Sequence, residues 1–136
     1  YGGIGTLLNH SEHKLSDEEI EKTLKRCREN NLKVILCANS LNAAWKFRRL
    51  KPYAIAYEDP VLVGSGKSIT KFRRKEVARF AEVLKGSGVV VLCGAGVSTV
   101  DDVKTARDLG CKGVLIASAI ANSKKPENLL RELSLL

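Results

Sequence analysis

Short apolar runs alternate with amphipathic segments along the whole chain, and that alternation limits the folds open to it. Lys33-Val34-Ile35-Leu36-Cys37 is apolar without a break after its first residue. That is the pattern of a strand covered on both faces, as in a parallel sheet. Residues 53–57, 89–93 and 112–117 repeat it, and residues 4–9 look like the end of another strand. Between these runs the apolar spacing becomes helical. Ser16 with Glu19 three residues later forms a capping box, and Ile20, Leu24 and Cys27 follow on one face until Asn30-Asn31. Residues 41–50 read as a second helix that Lys51-Pro52 breaks. Residues 73–85 read as a third, with Val77, Phe80, Ala81 and Leu84 inward. Ser98 or Thr99 caps a fourth helix, which runs to Leu109 and stops at Gly110. Pro126 opens the last one, with Leu129, Leu130, Leu133 and Leu136 as its expected buried stripe. Strands alternating with helices at this spacing predict an α/β domain on a parallel sheet of five strands.

Composition narrows the function. A chain of 136 residues makes one domain of ordinary size, residues 1–136. Its longest apolar stretches, residues 89–93 and 113–121, fall short of the ~18 residues of a membrane helix. No signal-peptide pattern is present, and no membrane partner is expected. The first residue is Tyr1 rather than Met, so the chain is expected to be processed or a piece of something longer. A net charge of +8 suits phosphorylated metabolites, nucleic acid or an acidic partner. The cations are dispersed, however. The densest groups, Lys46-Phe47-Arg48-Arg49 and Lys71-Phe72-Arg73-Arg74, read as solvated helix faces. No helix-turn-helix, zinc-finger or RNP-like motif accompanies them, so no nucleic-acid partner is expected. Cys27, Cys37, Cys93 and Cys111 form no CxxC pair, which leaves no metal motif. They read as small buried residues, reduced, in a cytoplasmic setting.

In parallel α/β folds ligands bind beyond the carboxyl ends of the strands. Residues just past each predicted strand are Asn9-His10-Ser11-Glu12, Cys37-Ala38-Asn39, Glu58, Gly94-Ala95-Gly96 and Ala117-Ser118. Residues 58–71 hold Pro60, Gly64 and Gly66 with little periodicity, a long loop of the kind that often serves as a lid. Taken singly, each feature has an ordinary reading. A histidine after a strand is usually structural, Glu58 could be a surface carboxylate, and glycine turns are common at strand–helix junctions. His13 is expected at an exposed helix approach. Together they set one carboxylate, one imidazole and several free backbone N–H groups on one face. That combination suits proton transfer next to a carbonyl on a phosphorylated substrate.

Asn9-His10-Ser11-Glu12, Ala56-Tyr57-Glu58 with Gly64-Ser65-Gly66-Lys67, Cys93-Gly94-Ala95-Gly96-Val97-Ser98 and Gly113-Val114-Leu115-Ile116-Ala117-Ser118 resemble the triosephosphate isomerases, in their shorter archaeal form. The order and spacing of these four motifs cover essentially the whole chain. The resemblance implies a partial (β/α)8 TIM barrel from which the family's first three βα units are absent. It implies Glu58 as the base and His10 as the neutral electrophile, with Glu12 as electrostatic support. This family is the standard case of that carboxylate–imidazole pairing, so these roles are inherited with the resemblance. Residues 60–66 would close over the phosphate, held by N–H groups of Gly64, Gly96, Ala117 and Ser118. A small phosphorylated triose is the implied substrate, with no metal or organic cofactor.

The departures are informative. The family's strand-one Asn and Lys have no counterpart here, and loss of that Lys removes several kcal/mol of oxyanion stabilisation. Asp59 stands where the family usually has Pro, an expected loosening of the lid hinge. His13-Lys14 replaces an Arg pair, and Ala119 a common Gly. Five strands cannot close a barrel and leave two unpaired edges. The expected partners are therefore other copies of the chain, as a homo-oligomer, or a complementary barrel fragment. Two further readings stay open: another phosphate-binding barrel, and a non-catalytic half-barrel that binds phosphate or assembles with partners.

Overall fold

A computed structural model describes residues 2–136. The chain runs β1 (Gly5–Leu8), α1 (Asp17–Glu29), β2 (Lys33–Ala38), α2 (Leu41–Phe47) with a 3-10 turn (Arg48–Leu50), and β3 (Ala54–Glu58). It continues through α3 (Ile69–Phe72), α4 (Arg74–Leu84), β4 (Val90–Gly94), α5 (Val100–Asp108), β5 (Gly113–Val114), α6 (Ser118–Ala121) and α7 (Pro126–Leu133). The caps act as the sequence implies. The Ser16 hydroxyl accepts from Glu19 N–H at 3.3 Å, and the Glu19 carboxylate accepts from Ser16 N–H at 2.7 Å. Thr99, rather than Ser98, caps α5.

All strand pairs are parallel, in the order β1-β2-β3-β4-β5. Register assigns the two faces. Leu36, Ile55 and Val91 lie side by side, as do Tyr57 and Cys93. This face packs against Ile20 and Leu24 of α1, Phe47 of α2, and Val77, Phe80 and Leu84 of α4. The Phe80 ring lies 5.0 Å from that of Tyr57, a favourable tilted aromatic pair. The opposite face carries Leu7, Ile35, Ala54 and Val90 in one row and Cys37, Ala56, Leu92 and Gly113 in the next. Ile35, Val90 and Leu92 are only half-buried, and Leu7 is 44% exposed. This is the face that a closed barrel fills with side chains from its far wall.

Three expectations need correction. Only Gly113–Val114 of residues 112–117 forms a paired strand, because β5 lies at the sheet edge with a neighbour on one side only. The loop of residues 58–71 holds an unexpected helical turn, α3. The stripe on residues 129–136 is only partly covered: Leu133 packs against the edge of the core, whereas Leu130 is 52% exposed and Leu136 40%. No helix among the described residues is long and apolar enough to cross a membrane, and no group of three or more potential ligands could hold a metal ion among them. All four cysteines are free and buried.

Candidate active site

The turn after β1 positions the imidazole. Asn9 adopts a left-handed backbone (φ 61°), which Asn tolerates better than most residues. Its amide holds the turn in place. Nδ2 donates to the Cys37 carbonyl at 2.9 Å, and Oδ1 accepts from Leu15 N–H at 3.0 Å. Lys14 Nζ donates to the Asn9 carbonyl at 3.0 Å. His10 therefore projects over the strand ends. Sequence reasoning singled out His10 and missed the residue that aims it. The available signal was an Asn directly after an apolar run.

Glu58 ends β3, in register with Gly94, and only 3% of it is exposed. Its Oε1 lies 2.9 Å from His10 Nε2, and its Oε2 accepts from Ser11 N–H at 2.8 Å. Glu12 N–H donates to His10 Nδ1 at 3.3 Å. An imidazole that accepts at Nδ1 and donates at Nε2 satisfies both contacts. The Glu12 carboxylate is 79% exposed and lies 3.6 Å from His10 Nδ1, so Glu12 meets the imidazole chiefly through its backbone. Cys37, near Glu58, is pushed up to about 12 by burial and by that carboxylate, which leaves it an unreactive thiol.

His10, Glu58, Gly64, Ala117 and Ser118 line one pocket of about 240 Å³, walled by Leu7, Val63 and Leu115. Five of the seven residues singled out for the site thus meet there. Glu12 and Gly96 do not line it. Gly96 (φ 66°) lies behind the wall, where an added Cβ would strike the Lys67 carbonyl oxygen. Without a Cβ there, the loop exit passes close over the β4–α5 turn. A larger depression of about 760 Å³ lies along Lys104, Arg107 and Lys112 beside α5. It holds no imidazole and lies at the amino end of β5, away from the carboxyl ends of the strands.

The loop between β3 and α3 is tied at both ends. At its start, Asp59 Oδ2 pairs with Arg73 Nε at 2.6 Å, and Oδ1 accepts from Val61 N–H at 2.9 Å. The expected loosening at Asp59 is therefore not found, because an ion pair and a side-chain turn restrain the hinge. At its end, Ile69 N–H donates to the Ala95 carbonyl at 3.0 Å. Between them Leu62 is buried in the core, whereas the rest of the tip is open, with Val61 75% exposed and no atom within 4 Å of a Cβ built at Gly64 or Gly66.

A run of five parallel βα units, with a carboxylate–imidazole pair and glycine turns beyond the strand ends, defines part of a (β/α)8-barrel protein. Solved barrels agree at the level of fold. Thiamine phosphate pyrophosphorylase from Pyrococcus furiosus superposes with a TM-score of 0.69 at 16% identity, over 98% of this chain and 57% of that one. The triosephosphate isomerase family model matches residues 1–133, and the chain belongs to the triosephosphate isomerase family. It is 39% identical to the triosephosphate isomerase of Saccharolobus solfataricus, over 96% of this chain and 58% of the relative. With that of Methanosarcina acetivorans the figure is 40%, over 97% and 60%. The chain therefore spans about three-fifths of the length of the curated relatives it matches.

Proposed function

We propose that this chain forms the last five βα units of a triosephosphate isomerase, which interconverts dihydroxyacetone phosphate and glyceraldehyde 3-phosphate. The observation that carries this reading is the His10–Glu58 contact at 2.9 Å, at the mouth of a pocket also lined by Gly64, Ala117 and Ser118. Glu58 takes the proton from C1 of the ketone and returns it to C2. His10, proton on Nε2, polarises the carbonyl oxygen as the enediolate forms. Without substrate the two groups satisfy each other, so substrate must enter between them and part that contact. Residues 60–66 then close over the phosphate and exclude water, which protects the enediolate. N–H groups at Gly64, Ala117 and Ser118 bind the phosphate from the pocket wall, and Gly96 shapes the turn behind it. Glu12 supports the imidazole through its N–H. No cofactor takes part in this scheme.

Three further βα units, on the same polypeptide or a complementary one, close the barrel and bring the family's strand-one lysine. A second reading, a half-barrel that binds phosphate without turnover, is favoured by the pocket lining, which includes no lysine among the described residues. Triose-phosphate turnover decides between them. The chain joined to the first three βα units of an archaeal relative is expected to turn over, and Glu58→Gln to lower kcat by about 10²–10⁴-fold. A folded, joined protein that binds 2-phosphoglycolate without turnover would establish the second reading.

A further inference from the structure

One buried titratable group has no part in that scheme. Asp102, in the first turn of α5, is only 1% exposed. Its Oδ2 accepts from Ser98 N–H and Thr99 N–H, both at 3.1 Å. These bonds cap the helix. Its other oxygen faces a different element, accepting from the Thr70 hydroxyl of α3 at 3.1 Å. A carboxylate only accepts, so Thr70 spends its proton there. The Ser68 hydroxyl, 2.7 Å from Thr70 Oγ1, must then donate to Thr70. Lys71 Nζ lies 3.6 Å from the same carboxylate oxygen. Asp102 thereby joins the end of the 59–68 loop to the turn that carries Gly94-Ala95-Gly96. Two backbone contacts run parallel to it: Ile69 N–H on the Ala95 carbonyl, and the close passage of Lys67 over Gly96.

We propose that Asp102 is a positioning residue that makes the trailing hinge of the lid and the β4–α5 turn one mechanical unit. The lid tip then closes against a seat that cannot drift away from it. The consequence for phosphate capture rests on the functional reading above; the mechanical coupling does not.

Thr70→Val tests this in the chain as it stands. It removes the hydroxyl that reaches Asp102, and leaves both N–H bonds of the helix cap in place. Amide hydrogen exchange is measured on the free chain and with 2-phosphoglycolate. The expected result is about tenfold faster exchange in residues 62–70 and 94–99 together, with α1, α2 and α4 unchanged. Weaker phosphoglycolate binding should follow, and Thr70→Ser, which keeps the hydroxyl, should restore both. Asp102→Asn, which weakens the links on both sides, should loosen the same two segments. Wild-type exchange in Thr70→Val would overturn the proposal and leave Asp102 as a helix cap only. Faster exchange throughout the chain would overturn it too, as general loss of structure. If the wild-type chain does not bind phosphoglycolate, the functional reading is weakened, while exchange in the free chain still decides the coupling.

Discussion

Asp102 keeps its charge inside the protein because donors surround it. Burial alone would raise its carboxyl, but hydrogen bonds from Ser98, Thr99 and Thr70, with the Ser68 hydroxyl close behind Thr70, outweigh burial and hold it at about 2, below its ordinary 3.8. As pH falls, the unfolded chain takes up this proton before the folded one does. The stabilisation is therefore complete above the unfolded value and is lost as pH falls through about 2. The full shift corresponds to about 2 kcal/mol. Urea unfolding of the wild type and Asp102→Asn should differ most near pH 5, and the gap should narrow toward pH 2. His10 and Glu58 were legible in the sequence, because Glu58 directly follows an apolar run, His10 stands one residue beyond another, and strand ends are where such sheets bind ligands. The Asp102 link was not. Thr99 and Asp102 spell a capping box, but a capping box does not announce that its second carboxylate oxygen meets a hydroxyl 32 residues away in sequence.

At the scale of elements, the β3–α3 loop differs from its neighbours in how it is held. β3 is buried along its whole length, whereas the loop sends only Leu62 into the core and leaves Gly64 and Gly66 in open space. Its restraint therefore comes from Leu62 and from its two ends. Replacing Asp59 by Ala removes both the Arg73 pair and the turn bond to Val61. Amides of residues 60–66 are then expected to exchange several-fold faster, while the melting temperature stays nearly unchanged, since the change lies outside the core. An equal fall in the melting temperature of Arg73→Ala and Asp59→Ala would instead make the pair part of the fold's global stability. Most helices and strands were legible from period and caps. α3 was not, because four residues give no periodicity. The stripe on α7 was legible as amphipathic, but amphipathicity does not say whether a partner is at hand.

For the whole molecule, the inner face of the sheet decides behaviour. Leu7, Ile35, Val90 and Leu92 point to the side that a closed barrel fills, and β1 and β5 each leave one edge unpaired among the described strands. Apolar surface beside open edges favours association. Sedimentation of this chain alone should give species that grow with concentration. Adding the first three βα units of an archaeal relative should replace them with one compact species. A monomer at all concentrations, with slow exchange along Gly5–Leu8, would contradict this.

The sequence by itself determined the parallel α/β class, the order of its elements and which residues stand just past the strand ends. Those follow from local period, caps and turn residues. Only the tertiary structure decided that Asn9 aims His10 and that Asp59 restrains the lid it was expected to loosen. It likewise decided that Glu12 faces solvent and that Asp102 links two loops. Each of these depends on a partner distant in sequence, and a hydrogen bond between distant residues exists only once packing has brought donor and acceptor within about 3 Å.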